Sequence, residues 1–310
     1  MRTRSRFLRI LLILILFPPA FAAVAGWLAA PAFLHPIRRP LTPDLVVQAD
    51  VSFAEIGAHR EDFNVRAPDG VLLRGWKVRP AKPNGAWVLV FHGVADNRMG
   101  TLEQALILLR AGYGVTMMDA RAHGESEGSV ATYGWLERND SRAVVDALVA
   151  AEHPAHIFAF GESMGAGIAL QAAGADARIE AVAAEAPFAS LREASYDYAG
   201  LQKYPLLGKT VFAPGAWMML HRGQSLAGFP AASVSPETAV ASRPFPVLLI
   251  CDTADTTLPC RHAERIYRAA RGPKSLWEVP RAFHTAAMAY QPQEFRRRVL
   301  HFFADPATLP

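Results

Sequence analysis

Short apolar segments alternate with segments of helical pattern from residue 86 to the end of the chain, and this alternation restricts the possible folds most strongly. Because parallel strands cannot be joined by tight turns, a helix between successive strands predicts a mostly parallel sheet with helices on both faces. Asp69 and Gly70 give a hairpin signal between the first two strands. We expect an eight-stranded α/β sheet with strands over residues 62–65, 71–79, 86–91, 115–118, 157–160, 181–184, 247–251 and 275–279. Helices are expected over residues 101–111, 135–151, 163–173, 260–271 and 286–303.

The motif Gly161-Glu162-Ser163-Met164-Gly165 lies between a predicted strand and a predicted helix. A G-x-S-x-G sequence in this position is typical of a tight turn that raises the serine hydroxyl above the edge of the sheet. Gly161 and Gly165 are expected where the turn brings backbone segments too close together for a side chain. The five residues alone also fit an ordinary glycine-rich turn, so their meaning depends on what converges near Ser163.

A serine that transfers acyl groups needs a base to take its proton and an acid to orient that base. In a parallel sheet these groups meet at the carboxyl ends of the strands. His284 follows the last predicted strand and is the expected base. For the acid, Asp255 is favoured over Asp252, because Asp255 lies further into its loop and can turn towards the edge of the sheet. Asp252 directly follows the strand and stays the alternative.

The reaction also needs donors for a developing oxyanion. His92 and Gly93 follow the third predicted strand, so the backbone N–H of Val94 and that of Met164 are the expected pair of oxyanion donors. His92 precedes the serine in the chain and is expected to hold its loop by hydrogen bonds. His262, at the start of a helix beside the acid loop, is expected on the surface.

These pieces, in this order, resemble the α/β-hydrolase superfamily, and within it the serine hydrolases similar to BEM46-like and serine aminopeptidase S33-type proteins. Members of this group often carry an N-terminal membrane segment. The resemblance covers residues 60–303 and implies Ser163 as nucleophile, Asp255 as acid and His284 as base. It departs at Cys251-Asp252, where relatives usually carry His-Gly or a similar pair. The matching motifs are His92-Gly93, the string from Asp119 to Ser126, residues 161–165, Asp255-Thr256-Thr257-Leu258-Pro259 and His284.

The charged residues of the Asp119 to Ser126 string are expected to pair with one another and so to brace the loop next to Ser163.

Residues 190–242 interrupt the alternation. They contain six aromatic residues and several prolines but no convincing strand, which favours a helical cap inserted over the cleft. The alternative is a surface excursion without a role in substrate access.

The N-terminal segment 1–34 has no charged residue between Ile10 and Leu34, a length sufficient for a helix to cross a bilayer core of about 30 Å. Arginines precede it, so the N-terminus is expected to stay in the cytoplasm and the body to lie outside, on the periplasmic side of the inner membrane if the source is bacterial. A retained signal-anchor is favoured over a signal peptide cleaved after Ala22 or Ala25. Pro18 and Pro19 are expected to kink the helix. Residues 35–50 are predicted to be a linker, and residues 51–310 the catalytic domain.

The net charge of +4 equals the contribution of Arg2, Arg4, Arg6 and Arg9, so the rest of the chain is neutral and gives no support for nucleic-acid binding. Cys251 and Cys260 give no metal-binding pair. Burial of each as a small apolar residue is favoured over a disulfide between them. No cofactor and no metal are expected.

Together these features predict a serine hydrolase that cleaves carboxylic esters or thioesters through an acyl-enzyme on Ser163. Small-molecule or lipid-like acyl compounds are the expected substrates, with the membrane as a partner through the N-terminal helix. The alternatives are an amidase or peptidase, a lipase with the same triad, or a non-catalytic binding protein with a hydrolase fold. Acyl and alcohol specificity and the oligomeric state stay open.

Overall fold

The computed structural model describes residues 2–198 and 203–308. Its ten strands are β1 (His59–Asp62), β2 (Val65–Arg66), β3 (Leu72–Leu73), β4 (Gly75–Arg79), β5 (Ala86–Phe91), β6 (Gly114–Met118), β7 (His156–Glu162), β8 (Ile179–Glu185), β9 (Val247–Asp252) and β10 (Lys274–Val279).

The helices of the described residues are α1 (Arg2–Leu34), α2 (Pro43–Glu55), α3 (Leu102–Arg110), α4 (Glu137–Glu152), α5 (Met164–Ala175), α6 (Leu191–Tyr198), α7 (Pro205–Leu207), α8 (Ala213–Ala227), α9 (Pro236–Ser242), α10 (Arg261–Ala269), α11 (Ala287–Tyr290) and α12 (Pro292–Ala304). Short 3₁₀ turns cover Arg98–Thr101 and Ala231–Ser233, and a π-helical turn covers Gly208–Phe212.

Eight strands form one sheet in the order β1-β4-β6-β5-β7-β8-β9-β10. The six neighbouring strands β6, β5, β7, β8, β9 and β10 are parallel to one another, whereas β4 runs antiparallel to both of its neighbours. The mostly parallel eight-stranded sheet predicted from the sequence is therefore confirmed. The small hairpin β2–β3 turns at Gly70, whose φ of +90° suits glycine.

The central strands alternate their apolar side chains between two layers of helices. Val88 and Val90 of β5 pack with α3 and α12, and Leu89 between them packs with α4 and α5 on the opposite face. Burial on both faces explains why these strands consist of continuous apolar runs. The sheet is thereby fixed in the middle of the domain, and the carboxyl ends of β5, β7, β9 and β10 lie along one edge.

The predicted linker is helical in its second part, because α2 begins at Pro43. Proline favours the first turn of a helix, where its missing N–H has no partner to lose. Ala49 and Phe53 lie on one face of α2 and are buried, and the Phe53 ring packs edge-on against Trp76 at a centroid distance of 6.3 Å. The segment is therefore held against the domain from residue 43.

The predicted C-terminal helix is divided into α11 and α12, which meet at Gln291 and Pro292. Residues 190–198 and 203–242 contain helices and turns and no strand, in agreement with the predicted helical cap. Helix α1 continues through Pro18, Pro19 and Pro31, and its Arg9–Leu34 portion is long and apolar enough to cross a membrane, with a mean hydropathy of 2.3.

Candidate active site

Ser163 occupies a strained turn between β7 and α5, with φ +53° and ψ −116°. A non-glycine residue holds such a conformation only when its surroundings enforce it. The Ser163 N–H donates to the Glu185 carbonyl at 2.9 Å. A Cβ at Gly161 would overlap the Gly165 backbone, and one at Gly165 would lie 2.6 Å from the His92 carbonyl oxygen. Both glycines are thus required by the close approach inferred from the motif.

The side chains of Ser163, His284 and Asp255 form a hydrogen-bonded series. His284 Nε2 lies 2.8 Å from Ser163 Oγ, and His284 Nδ1 lies 2.6 Å from Asp255 Oδ2. The other Asp255 oxygen accepts the N–H groups of Thr257 at 2.6 Å and Leu258 at 2.9 Å. The Asp255 carboxylate is therefore fixed in orientation, and it holds His284 with one ring nitrogen towards the serine.

Asp252, the alternative acid, occupies a different position. Both of its oxygens are buried and have no hydrogen-bond partner among the described residues. Burial and the nearby charge of Asp255 raise the pKa of Asp252 to about 6. Of the two aspartates, the geometry pairs Asp255 with His284.

The two residues predicted to supply oxyanion amides lie at the same cavity as the serine. Val94 and Met164 line the same cavity as Ser163, and a Cβ at Gly93 would lie 3.8 Å from the Ser163 Cβ. His92 holds this loop: its Nε2 accepts the Ala120 N–H at 3.0 Å, and its Nδ1 donates to the Gly93 carbonyl at 2.7 Å. Burial lowers the pKa of His92, which keeps the ring neutral and able to accept.

The charges of the Asp119 to Ser126 string pair mainly outside the string, which corrects the prediction of internal pairing. Asp119 forms a buried ion pair with Arg98 at 2.7 Å, and Arg121 binds Asp140 at 2.6 Å. Within the string, the Asp119 carboxylate accepts the Glu125 N–H at 2.8 Å, and the Asp119 carbonyl accepts the Ser126 hydroxyl at 2.7 Å. The string therefore ties its loop to the neighbouring helices instead of closing on itself.

His262 is fully buried, so its predicted surface position was wrong. Its Nε2 lies 2.6 Å from Asp197 Oδ2, and its Nδ1 accepts the Ala189 N–H at 3.2 Å. The residue connects cap helix α6 to helix α10. The local sequence around His262 gives no signal that this side chain is buried, because its partner Asp197 is distant in the sequence.

Two buried glutamates behind the serine were not singled out from the sequence. Glu185 ends β8, and its Oε1 accepts the Ala287 N–H at 2.9 Å. Glu162 stands inside the motif, 3.4 Å from the Gln104 amide. Burial, together with nearby carboxylates, raises the pKa of Glu162 to about 8 and that of Glu185 well above its ordinary value. A glutamate at the end of an apolar strand is the signal that could have identified them.

The raised pKa of Glu162 predicts a pH-dependent stability. Because the folded protein holds Glu162 protonated, this group contributes folding stability that is fully present below the ordinary pKa of 4.5. That contribution is lost as the pH rises through about 8. A glutamine cannot titrate, so Glu162→Gln should unfold with a free energy about 1–3 kcal/mol above that of the wild type near pH 9. Near pH 5 the two proteins should differ little.

Urea unfolding at both pH values measures this difference. Glu103→Gln, at an exposed position of α3, is the matched control and should follow the wild type at both. A Glu162→Gln protein that gains no stability relative to the wild type on going from pH 5 to pH 9 would show that Glu162 is ionised in the folded protein.

Cys251 and Cys260 form a disulfide, so the expectation that each is buried separately as a small apolar residue is wrong. The bridge closes the loop that carries both Asp252 and Asp255. In the chain-entropy model, a cross-link with a sequence separation of 9 stabilises the folded protein by about 2.6 kcal/mol. The disulfide therefore restrains the loop that presents the Asp255 carboxylate to His284.

The serine opens into a cavity of about 460 Å³ between the sheet and the cap. Cap residues Leu191, Ala194 and Tyr198 form one wall, and Leu258 of the acid loop forms another. Among the described residues, no charged side chain lines this cavity. The site thus combines the hydrogen-bonded series of Ser163, His284 and Asp255 with an apolar chamber of the size typical for small-molecule ligands.

A strained serine after a central parallel strand, a histidine after the last strand and an acid after the strand before it define an α/β-hydrolase. Solved structures share this fold. The Pyrococcus furiosus esterase Pf2001 superposes with a TM-score of 0.68 at 22% identity, covering 87% of this chain and 98% of that chain. Acetyl xylan esterase 1 from Thermoanaerobacterium has a TM-score of 0.59 at 15% identity, covering 89% of this chain and 97% of its own.

The chain belongs to the serine aminopeptidase S33 family of α/β-hydrolases, whose family model matches residues 82–218. YqkD of Bacillus subtilis is 31% identical over 244 residues, which cover 77% of this chain and 78% of that relative. YfhR of Escherichia coli is 29% identical over 236 residues, or 74% and 75% of the two chains. Both relatives are uncharacterised proteins, so they leave the substrate open.

Proposed function

We propose that the protein is a membrane-associated serine hydrolase that cleaves carboxylic esters through an acyl-enzyme on Ser163. The observation that carries this proposal is the series Asp255–His284–Ser163, which ends at an uncharged cavity. Each member has the partner that its role requires: a fixed carboxylate, an oriented imidazole and a hydroxyl within 2.8 Å of that imidazole.

In the first half of the reaction, His284 Nε2 takes the proton of Ser163 Oγ as Oγ attacks the ester carbonyl carbon. The N–H groups of Val94 and Met164 donate to the oxyanion that forms. When the tetrahedral intermediate collapses, the carbon–oxygen bond to the alcohol breaks and the alcohol leaves with the proton from His284. The acyl group then stays on Ser163 as an ester.

In the second half, His284 accepts a proton from water as the water oxygen attacks the acyl-enzyme carbonyl. The same amides hold the second oxyanion. Collapse breaks the bond between the acyl carbon and Ser163 Oγ, returns the proton to Oγ and releases the carboxylic acid. One ester and one water give one acid and one alcohol, and the buried Asp255 carboxylate stabilises the His284 imidazolium in both halves.

The apolar lining of the cavity favours ester substrates over aminopeptidase substrates. An aminopeptidase must bind the ammonium group of its substrate, and a buried cation needs a carboxylate partner. The described residues around the cavity offer no such carboxylate, because Asp255 is already committed to His284, Thr257 and Leu258. Thioesters with apolar acyl groups fit the same chamber, since they share the carbonyl and the acyl chain.

For location, we propose that α1 is a retained anchor and that the catalytic domain lies outside the cytoplasm. The arginines before Ile10 favour a cytoplasmic N-terminus. The Cys251–Cys260 disulfide suits an oxidising compartment.

A substrate panel on the full-length protein tests the preference for esters. We expect p-nitrophenyl butyrate to be hydrolysed with a kcat/KM at least about tenfold above that for leucine p-nitroanilide, because the cavity offers the leucine ammonium no partner. Activity remaining in Ser163→Ala protein is subtracted as background. Faster turnover of the anilide than of the ester would assign the site to amide substrates instead.

A further inference from the structure

Helix α1 contributes directly to the cavity that contains Ser163. Its residues Ala29, Ala32 and Phe33 line the same space as Ser163 and Met164. The N-terminal segment, expected from the sequence to be an anchor separate from the catalytic domain, is therefore part of the substrate chamber.

The end of α1 is held to the catalytic domain by specific contacts. The Leu34 carbonyl accepts the Ala131 N–H at 2.9 Å, and the Phe33 carbonyl accepts the Tyr133 hydroxyl at 2.7 Å. The rings of Phe33 and Tyr133 stack at a centroid distance of 4.8 Å. Leu34 itself is 1% exposed. These bonds fix the wall that α1 gives to the cavity.

Small residues let α1 cross cap helix α8 at very short distance. A Cβ at Gly215 of α8 would lie 2.6 Å from the Ala22 carbonyl oxygen, and one at Gly26 would overlap the Gly215 backbone. Close approach through small residues is the usual packing of helices in lipid. Arg222 of α8 also lies over the Trp27 ring, at 3.4 Å from its centroid. The cap and the apolar helix therefore form one unit.

The length of α1 places this unit at the bilayer. Residues 10–21, before the crossing with α8, would extend only about 18 Å as a helix, whereas the hydrocarbon core measures about 30 Å. A spanning α1 must therefore place part of its packed half in the membrane as well. The cap also exposes large apolar side chains, which suits contact with lipid: Leu206 is 80% exposed, Trp217 51% and Leu207 50%.

We infer that the cavity is an acyl-chain site, walled by the membrane helix, that takes the fatty acyl group of an ester from the adjoining leaflet. This inference rests on the proposed ester hydrolysis and specifies its substrate class. The acyl chain of a membrane lipid ester lies against Ala29, Ala32 and Phe33 with its carbonyl at Ser163. Hydrolysis breaks the bond between the acyl carbon and the alcohol oxygen and forms a bond from the acyl carbon to the oxygen of water. It releases the fatty acid and the remainder of the lipid as the alcohol.

The test compares Ala32→Trp with Leu28→Trp in the full-length protein. Leu28 is on the same helix, is 63% exposed and does not line the cavity. We expect Ala32→Trp to lower the ratio of kcat/KM for p-nitrophenyl laurate to that for p-nitrophenyl acetate by about tenfold or more, since the indole fills the chain site. Ala32→Val should lower the ratio less, and Leu28→Trp should leave it unchanged.

A second arm identifies the source of the chain. The proteins are reconstituted into phosphatidylcholine and phosphatidylglycerol vesicles, and released fatty acid is measured by mass spectrometry. We expect release by the wild type and by Leu28→Trp, and a similar reduction of about tenfold or more for Ala32→Trp. Thermal unfolding of each variant shows whether it is folded, and Ala32→Val keeps the test decisive if the larger substitution unfolds.

The outcomes separate the claims. An unchanged laurate-to-acetate ratio in folded Ala32→Trp and Ala32→Val would overturn the chain site on α1. A reduced ratio without fatty acid release by the wild type would show that the chains come from soluble esters and would overturn the membrane source. A wild type inactive on acetate and laurate alike would overturn the proposed esterase function itself.

Discussion

Ser163→Ala should lower kcat for p-nitrophenyl butyrate by about four to six orders of magnitude, the range expected when the nucleophile of such a triad is removed. The reason is that His284 Nε2 then lacks the hydroxyl that lies 2.8 Å away, so no acyl-enzyme forms. Residual hydrolysis should come only from binding and from the oxyanion amides. Steady-state kinetics, with the protein concentration high enough to follow slow turnover, measures the loss.

Ser141→Ala is the matched control for this substitution. Ser141 is also a buried serine, and its hydroxyl donates to the Glu137 carbonyl at 2.8 Å, away from the cavity. Loss of the Ser141 hydroxyl should change kcat by less than about threefold, because a substitution far from the reacting groups has a small effect. A Ser163→Ala protein that keeps more than about a tenth of the wild-type kcat would not fit acyl transfer to Ser163.

Asp255→Asn should lower kcat by about three to four orders of magnitude. An asparagine at this position offers His284 Nδ1 an amide in place of the carboxylate oxygen at 2.6 Å, which favours the wrong histidine tautomer and removes the charge that stabilises the imidazolium. The amides of Thr257 and Leu258 would still position the side chain. The variant should therefore stay folded and bind substrate with a similar KM.

Asp252→Asn is the control, because Asp252 is a neighbouring buried aspartate without a bond to His284. We expect its kcat to stay within about tenfold of the wild type, as for a residue that contacts no reacting atom. If Asp252→Asn abolished turnover and Asp255→Asn did not, the roles of the two aspartates would be reversed.

The sheet and the order of the site residues could be predicted because both depend on local pattern. Apolar runs of strand length separated by helices specify parallel pairing, and parallel pairing brings the carboxyl ends of β5, β7, β9 and β10 together. Ser163, Asp255 and His284 each follow such a strand, so their convergence follows from the topology. The glycines of the motif could be explained in the same way, because Gly161 contacts the backbone of its own turn and Gly165 contacts the backbone at the end of the neighbouring strand β5.

Other features depend on partners that are far away in the sequence or on the path that a loop takes. An apolar stretch such as Ala22–Leu34 has the same composition whether it contacts lipid or protein, so its role in the cavity became visible only with α8 in place. Burial of His262 depends on Asp197, and pairing of Cys251 with Cys260 depends on the path of the acid loop. Helix α2 was not predicted, because its pattern of apolar residues is weak and prolines lie at and before its start.

Covalent labelling of the full-length protein with a fluorophosphonate, followed by peptide mass spectrometry, tests most directly whether Ser163 is an activated nucleophile. We predict a single phosphonylated site, on the peptide that contains Ser163, in the wild type and in Ser141→Ala protein. Ser163→Ala protein should show no adduct. Modification of a different serine, or labelling that persists in folded Ser163→Ala protein, would contradict the proposed mechanism.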